Sequence, residues 1–296
     1  MAMMNSIEKW KKLLFMLLKA ALIALALVAI GSYIFFCPPI LSRNFGSAIL
    51  FPMPPGGEYS CLSVNQIKRQ EIHFKNKEMN NLEGWYFQAA NKSAPVILFA
   101  HGNAGNIGHR LMLVKYLMDA GASVFIFDYR NYGRSEGKKD LAGLAEDTEA
   151  ALSCLQNDLK IAPSNIVLYG ESIGGGAACA VAAKHPELKG LIIDSSFTSM
   201  LNLAKKKIPL MHIYPDFFQA IPSYNNKEYL QGKHLKLLII HGQKDEAIPY
   251  SEAEANFAAA TDDKTLLTLP NSTHNWKDQD FQLYSNGVAE FLRTLK

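Results

Sequence analysis

Two stretches of the 296-residue chain read G-x-S-x-G, and only one stands where such a serine could act. Gly170-Glu171-Ser172-Ile173-Gly174 follows at once on the apolar run Asn165-Ile166-Val167-Leu168-Tyr169. It leads straight into Gly175-Gly176-Ala177-Ala178-Cys179-Ala180-Val181. Strand, tight turn and helix in succession lift a serine Oγ above the end of a sheet, and flanking glycines let strand and helix pack closely. The helix N-terminus brings the positive end of its dipole to where an oxyanion would develop. Gly133-Arg134-Ser135-Glu136-Gly137 has no strand directly before it and no helix directly after it. Ser172 is therefore the candidate nucleophile, and Ser135 a structural loop residue.

A serine hydroxyl needs a base, and the base needs a carboxylate to orient it. Of eight histidines, only His274 follows the last two strand-like runs, in the polar stretch Pro270-Asn271-Ser272-Thr273-His274-Asn275. The earlier of those runs, Leu237-Leu238-Ile239-Ile240, leads into His241-Gly242-Gln243-Lys244-Asp245-Glu246. Asp245 is the expected acid and Glu246 its substitute. Taken singly, His274 would be an ordinary loop histidine and Asp245 a helix cap. In the order Ser, Asp, His, at consecutive strand ends, they read as a triad.

Acyl transfer also needs two backbone donors for the tetrahedral oxyanion. One is expected from the N–H of Ile173. The other is expected from Asn103, in the loop His101-Gly102-Asn103-Ala104-Gly105-Asn106 after the run 96–100, where glycine lets backbone approach a substrate. A phosphate cradle is the competing use of such a loop. It would need a P-loop lysine or a dinucleotide fingerprint, and neither is present. His101 reads as a structural loop residue. No metal and no cofactor is expected.

The elements that must position these residues are legible as alternation. Near-continuous apolar runs at 96–100, 123–128, 166–169, 191–194, 237–240 and 265–269 have the pattern of parallel strands buried on both faces. Between them lie helix candidates at 110–120, 141–159, 173–184 and 251–260, with 280–294 closing the chain. Leu141, Leu144, Thr148, Leu152 and Leu155 share one face at helical spacing, and His185-Pro186 stops the third helix. Upstream, 70–74 and 82–87 flank Asn80-Asn81 as a hairpin. Alternating strand and helix imply one mostly parallel, doubly wound α/β sheet with right-handed crossovers, and a single domain at 60–296. Between the strand at 191–194 and Leu237 comes an excursion carrying Lys205-Lys206-Lys207, Ile208, Leu210, Met211, Tyr214, Phe217, Phe218, Ile221 and Tyr224. It reads either as a packed surface segment or as a short cap lining an acyl pocket.

The chain's formal excess of +3 sits entirely in its first 36 residues, where Lys9, Lys11, Lys12 and Lys19 face Glu8. The rest is balanced, which gives a nucleic-acid binder no basic surface to work with. Those lysines flank or enter the apolar stretch 13–36, with Trp10 and Tyr33 near its two ends. This is expected to be a membrane anchor at 1–36, with a cleaved signal peptide as the alternative. A Pro-rich tether at 37–59 follows. The basic flank points to a cytoplasmic N-terminus and a catalytic domain on the far side, or to an exported soluble enzyme if the segment is cleaved. Cys37, Cys61, Cys154 and Cys179 have no metal-like spacing, though an isolated disulfide pair remains open.

Taken as a set, His101 to Asn106, Asp128-Tyr129-Arg130-Asn131-Tyr132-Gly133-Arg134-Ser135, the Ser172 motif, Ile240 to Glu246 and His274-Asn275 resemble the membrane-tethered Bem-type α/β-hydrolase domain-containing serine hydrolases. The resemblance covers roughly residues 60 to 296. It implies Ser172, Asp245 and His274 as the triad, an N-terminal anchor, and an acyl ester, thioester or lipid-like substrate. Asn131 stands where the family's turn usually has glycine, and Lys236 where proline often precedes a core strand. A serine peptidase on the same triad, or a tethered binding protein with the site unused, are the alternative functions.

Overall fold

The computed structural model describes residues 2–35, 50–52, 68–213, 215–216, 222, 224–261, 263–275 and 277–295. Its apolar runs become β1 (Gln70–Lys75), β2 (Asn81–Phe87), β3 (Val96–Ala100), β4 (Ser123–Phe127), β5 (Ile166–Glu171), β6 (Gly190–Asp194), β7 (Leu237–Gly242) and β8 (Lys264–Leu269). The helices are α1 (Ala2–Phe35), α2 (Leu111–Asp119), α3 (Gly143–Asn157), α4 (Ile173–Ala182), α5 (Met200–Lys207), α6 (Asn226–Gln231), α7 (Ser251–Ala259) and α8 (Phe281–Thr294).

Among the described residues, β1 to β8 form an 8-stranded sheet in the order β8-β7-β6-β5-β3-β4-β2-β1. The hairpin β1–β2 is antiparallel, as is β2 to β4, and the remaining pairs are parallel. Strand side chains alternate between two cores. In β3, Val96, Leu98 and Ala100 join the core containing Leu152 of α3 and Val181 of α4. Ile97 and Phe99 join the opposite core, with Val114 and Leu117 of α2 and Tyr284 and Val288 of α8. Burial on both faces is why β3 to β7 read as apolar runs, whereas β8, at the sheet edge, is only partly buried. The mostly parallel α/β-hydrolase fold expected from the sequence is the fold observed.

Two regions add to that expectation. The excursion folds into α5, a 3-10 turn at Pro209–Ile213 and α6, each too short to show periodicity in sequence. Ser199 caps α5, its Oγ accepting the Asn202 N–H at 3.4 Å. Tyr214, Phe217, Phe218 and Ile221 lie outside the described residues. Most of the tether expected at 37–59, with Cys37 and Cys61, also lies outside them. Leu50, however, is fully buried. Phe51 and Pro52 pair in parallel with Ala104 and Gly105. These three residues belong to the body of the domain, upstream of the expected start at 60.

Within α1, Glu8–Phe35 is long and apolar enough to cross a membrane, and none of it is buried. Cys154 and Cys179 are free, buried thiols. Asn131, at the position where the resembled family's turn usually has glycine, adopts φ 65°. Asparagine is among the few side chains that tolerate this left-handed backbone.

Candidate active site

β5 ends at Glu171, and the chain turns at Ser172 with φ 55° and ψ −115° before α4 begins at Ile173. A residue with a Cβ holds such angles only where its surroundings over-determine them. Here the Ser172 N–H donates to the Asp194 carbonyl at 2.8 Å, and the Ser172 carbonyl accepts the Gly175 N–H at 3.0 Å. The Ser196 hydroxyl donates to that same carbonyl at 2.8 Å. A Cβ on Gly170 would lie 2.5 Å from the Gly174 oxygen, and one on Gly174 would land on the Ala100 carbonyl. Both obstacles are backbone and cannot step aside. The glycines of the motif are steric requirements.

His274 lies in the loop after β8 and Asp245 in the loop after β7. Backbone bonds hold the two loops together: Gln243 N–H to Leu269 O at 2.9 Å and Lys244 N–H to Ser272 O at 3.1 Å. Asp280 braces the His274 loop by accepting from the Asn271 N–H at 2.8 Å and the Ser272 hydroxyl at 2.7 Å. Within this frame His274 Nδ1 lies 2.7 Å from Asp245 Oδ2, and its Nε2 lies 3.1 Å from Ser172 Oγ. A carboxylate can only accept, so Nδ1 carries the proton and Nε2 turns its lone pair to the serine hydroxyl.

The Asp245 side chain has no exposed surface. Its Oδ1 accepts the N–H groups of Ala247 at 2.9 Å and Ile248 at 2.8 Å. His241 Nε2 lies 3.3 Å from Oδ2 and donates to the Ile248 carbonyl at 2.9 Å. Burial alone would push this carboxyl's pKa up. Hydrogen bonds from His241, His274 and Ile248 outweigh it and hold the group well below the ordinary carboxylate range. Glu246, the substitute acid, is exposed.

Asn103, Ser172, Ile173 and His274 all line one cleft of about 310 Å³. The excursion supplies its apolar wall through Met200, Leu203, Ala204 and Ile208, facing Phe197 and Ile248, with Lys207 at the edge. The Asn103 side chain accepts from the Tyr132 hydroxyl at 3.2 Å. Ser135 is buried in a purely structural place, donating to Asp128 O at 2.7 Å and accepting the Glu83 N–H at 2.9 Å. No group of His, Cys, Asp and Glu among the described residues could hold a metal ion.

Sequence reasoning missed a buried ionic layer beneath the turn. Glu171 Oε2 accepts the Gly102 N–H at 3.0 Å and the Arg110 Nε–H at 2.6 Å. Burial would raise the Glu171 pKa, but Arg110 and Lys277, with the Gly102 bond, bring it down to about 2. Lys277 Nζ meets both oxygens of Asp194, at 2.7 and 2.8 Å. The one available signal was a carboxylate inside the serine motif, where a neutral residue would avoid desolvation. A second cavity of about 410 Å³, lined by Ala104, Arg110, Tyr116, Glu171, Asn275 and Lys277 among others, adjoins this layer.

Comparison with known proteins gives a consistent picture. Residues 95–227 match the family described as alpha/beta hydrolase fold. The Uncharacterized protein YfhR of Escherichia coli O157:H7 is 31% identical over 232 residues, covering 75% of this chain and 80% of that protein. Protein bem46 of Schizosaccharomyces pombe is 34% identical over 206 residues, covering 67% of this chain and 69% of that one. The Uncharacterized membrane protein YNL320W of Saccharomyces cerevisiae is 30% identical over 200 residues, covering 66% and 69%. Among solved structures, the Pyrococcus furiosus esterase Pf2001 superimposes with a TM-score of 0.66 at 18% identity, covering 84% of this chain and 98% of that one. That likeness is one of fold.

Proposed function

The chain belongs to the α/β-hydrolase fold family, in the group that includes bem46 and YfhR, and on that premise we propose that it is a serine hydrolase cleaving acyl esters or thioesters. The observation that carries the reading is the unbroken line from Asp245 through His274 to a strained Ser172. Ser172 Oγ attacks the acyl carbon while its proton passes to His274 Nε2. Asp245 holds the ring and stabilises the imidazolium. The N–H groups of Ile173 and Asn103 take the oxyanion. Collapse of the tetrahedral intermediate expels the alcohol or thiol, which leaves with the proton from His274. Water then repeats the sequence on the acyl-enzyme, and the acid is released.

The apolar wall built by α5 favours an uncharged acyl chain, and the esterase name of one fold neighbour agrees with ester chemistry. α1 serves as the anchor, with Lys9, Lys11 and Lys12 on the cytoplasmic side and the hydrolase domain opposite. A reporter active only in the cytoplasm, fused after Lys296, would stay dark in this topology, and a signal there would reverse it. The mature chain should keep its N-terminus, whereas a mature start near Ser32 would make this a cleaved export signal.

The reaction is tested with a fluorophosphonate probe and a series of chromogenic esters. Wild type is labelled and turns over, and Ser172→Ala does neither. Labelling that survives Ser172→Ala, or cleavage of aminoacyl amides faster than matched esters, would overturn the assignment.

A further inference from the structure

The proposed oxyanion donor, Asn103 N–H, sits in a loop held from both sides. Upstream, the Gly102 carbonyl accepts the Nδ1–H of His101 at 2.7 Å, and the Gly102 N–H donates to Glu171 at 3.0 Å. No cis peptide occurs among the described residues, so the Asn103 N–H points opposite to the Gly102 carbonyl. Holding that carbonyl therefore aims the donor. Downstream, the Ala104 carbonyl accepts the Arg110 Nη2–H at 2.9 Å. Gly105 has φ 89°. Beside these two residues runs a short parallel ladder, Phe51 opposite Ala104 and Pro52 opposite Gly105.

A two-residue ladder is too small to persist alone. What keeps it is Leu50, which has no exposed surface and belongs to the core cluster containing Phe127, Tyr132 and Leu141. Its carbonyl also accepts the Lys139 ammonium at 2.9 Å. Residues 36–49 alone separate this lock from the end of α1. At roughly 3.3–3.6 Å per residue that stretch can reach at most about 50 Å.

Resting on the serine-hydrolase reading, we propose that Leu50–Pro52 is a positioning element for the oxyanion loop, so the segment that tethers the domain to its apolar helix also holds part of the catalytic apparatus. Leu50 acts at a distance: it fixes Ala104 and Gly105, and through them the Asn103 N–H. The oxyanion loop then cannot be separated from Leu50–Pro52 without loss of turnover.

The test uses the full chain in detergent micelles, comparing wild type with Leu50→Ala, Leu50→Met and Lys139→Met. Leu50→Ala should lower kcat by up to about 100-fold, the cost of displacing a catalytic group by about an ångström and below that of removing the donor outright, while KM stays within about twofold. Affinity for a trifluoromethyl ketone, whose hemiketal oxyanion needs the same donors, should fall by the same factor. Leu50→Met, which preserves bulk, should restore both, and Lys139→Met should shift both in the same direction as Leu50→Ala. Amide exchange in 101–106 should quicken in Leu50→Ala and Lys139→Met without change in β5. Unchanged kcat and ketone affinity in Leu50→Ala would overturn the proposal, as would exchange that rises equally through the domain. Absence of Ser172-dependent turnover in wild type would strike the hydrolase reading instead, and the exchange measurement would then decide the coupling by itself.

Discussion

Replacing Asp245 by Asn should leave a folded protein with almost no turnover, and the hydrogen bonds say why. Oδ1 of Asp245 is committed to two N–H donors, Ala247 at 2.9 Å and Ile248 at 2.8 Å. An asparagine must keep its oxygen there, because an NH₂ in that place would face two donors. Its NH₂ then occupies the Oδ2 position, 2.7 Å from His274 Nδ1. His274 can accept that contact only by moving its proton to Nε2. That nitrogen now points an N–H at Ser172 Oγ, 3.1 Å away, and cannot take the serine's proton. The expected loss is about 10⁴-fold in kcat, as for loss of the correct tautomer in other triads, which is about 5 kcal/mol of barrier at 1.36 kcal/mol per decade. The assay is steady-state hydrolysis of a chromogenic ester, with the unfolding midpoint measured in parallel. KM should move little, since the acyl wall is untouched. The double variant with Ser172→Ala should be no worse than Ser172→Ala alone, because the residues act as a unit. An Asp245→Asn protein within tenfold of wild-type kcat would refute the tautomer argument and with it the role given to Asp245.

Three further outcomes follow from the same geometry. Lys277→Met leaves the Asp194 carboxylate buried without its ammonium, a loss of about 3–5 kcal/mol in urea unfolding, and adding Asp194→Asn should recover much of it; no difference between single and double variants would mean the pair is not coupled. Glu171 has its pKa lowered from 4.5 to about 2, so its stabilisation is present above about pH 4.5 and disappears as pH falls to about 2, an effect on the order of 3 kcal/mol at 1.36 kcal/mol per unit. Glu171→Gln should therefore show a shallower decline than wild type between pH 5 and 3, and equal slopes would remove the carboxylate from the account. In the acyl series, kcat/KM should rise about fourfold per methylene, at roughly 0.8 kcal/mol each, until the cleft is full; Ala204→Trp should bring that plateau to shorter chains, and an unchanged optimum would take α5 out of the acyl wall.

The fold was legible because burial on both faces leaves an unambiguous mark. Strands such as Val96–Ala100, and Leu237–Gly242 as far as Ile240, are apolar since each face meets a helix layer. The proposed triad was legible for a different reason: each member sits in the turn or loop after a strand of the parallel half of the sheet, so chain order brings Ser172, Asp245 and His274 to one end of it. What stayed hidden depends on pairing across long separations. Glu171 with Arg110, and Lys277 with Asp194, are charged residues whose pairing no local sequence pattern announces. Helix α5 has eight residues, about two turns, which is too few for a periodic pattern to emerge. Leu50 reads as tether because proline-rich neighbours signal extended chain, and nothing local marks its place in the core.

The arrangement also explains why a strained serine persists without substrate. Strain at Ser172 survives only if the groups around it cannot relax, and each is fixed by something stronger than a loop contact. Asp194 supplies the carbonyl that takes the Ser172 N–H, and its carboxylate is gripped by Lys277, Tyr169 and the Ser195 hydroxyl. Glu171, the residue before the serine, is fixed by Arg110 and in turn fixes Gly102, next to the proposed second oxyanion donor. One ionic layer thus braces Ser172 and the proposed oxyanion loop at once. Buried pairs of this kind add little net stability over apolar side chains of the same shape. Their use here is geometric, because a charge that cannot leave its partner without a large desolvation cost makes a more rigid brace than a methyl group. On the serine-hydrolase reading, a constellation that needs placement to a fraction of an ångström gains from charges in a layer where the fold alone would favour leucine.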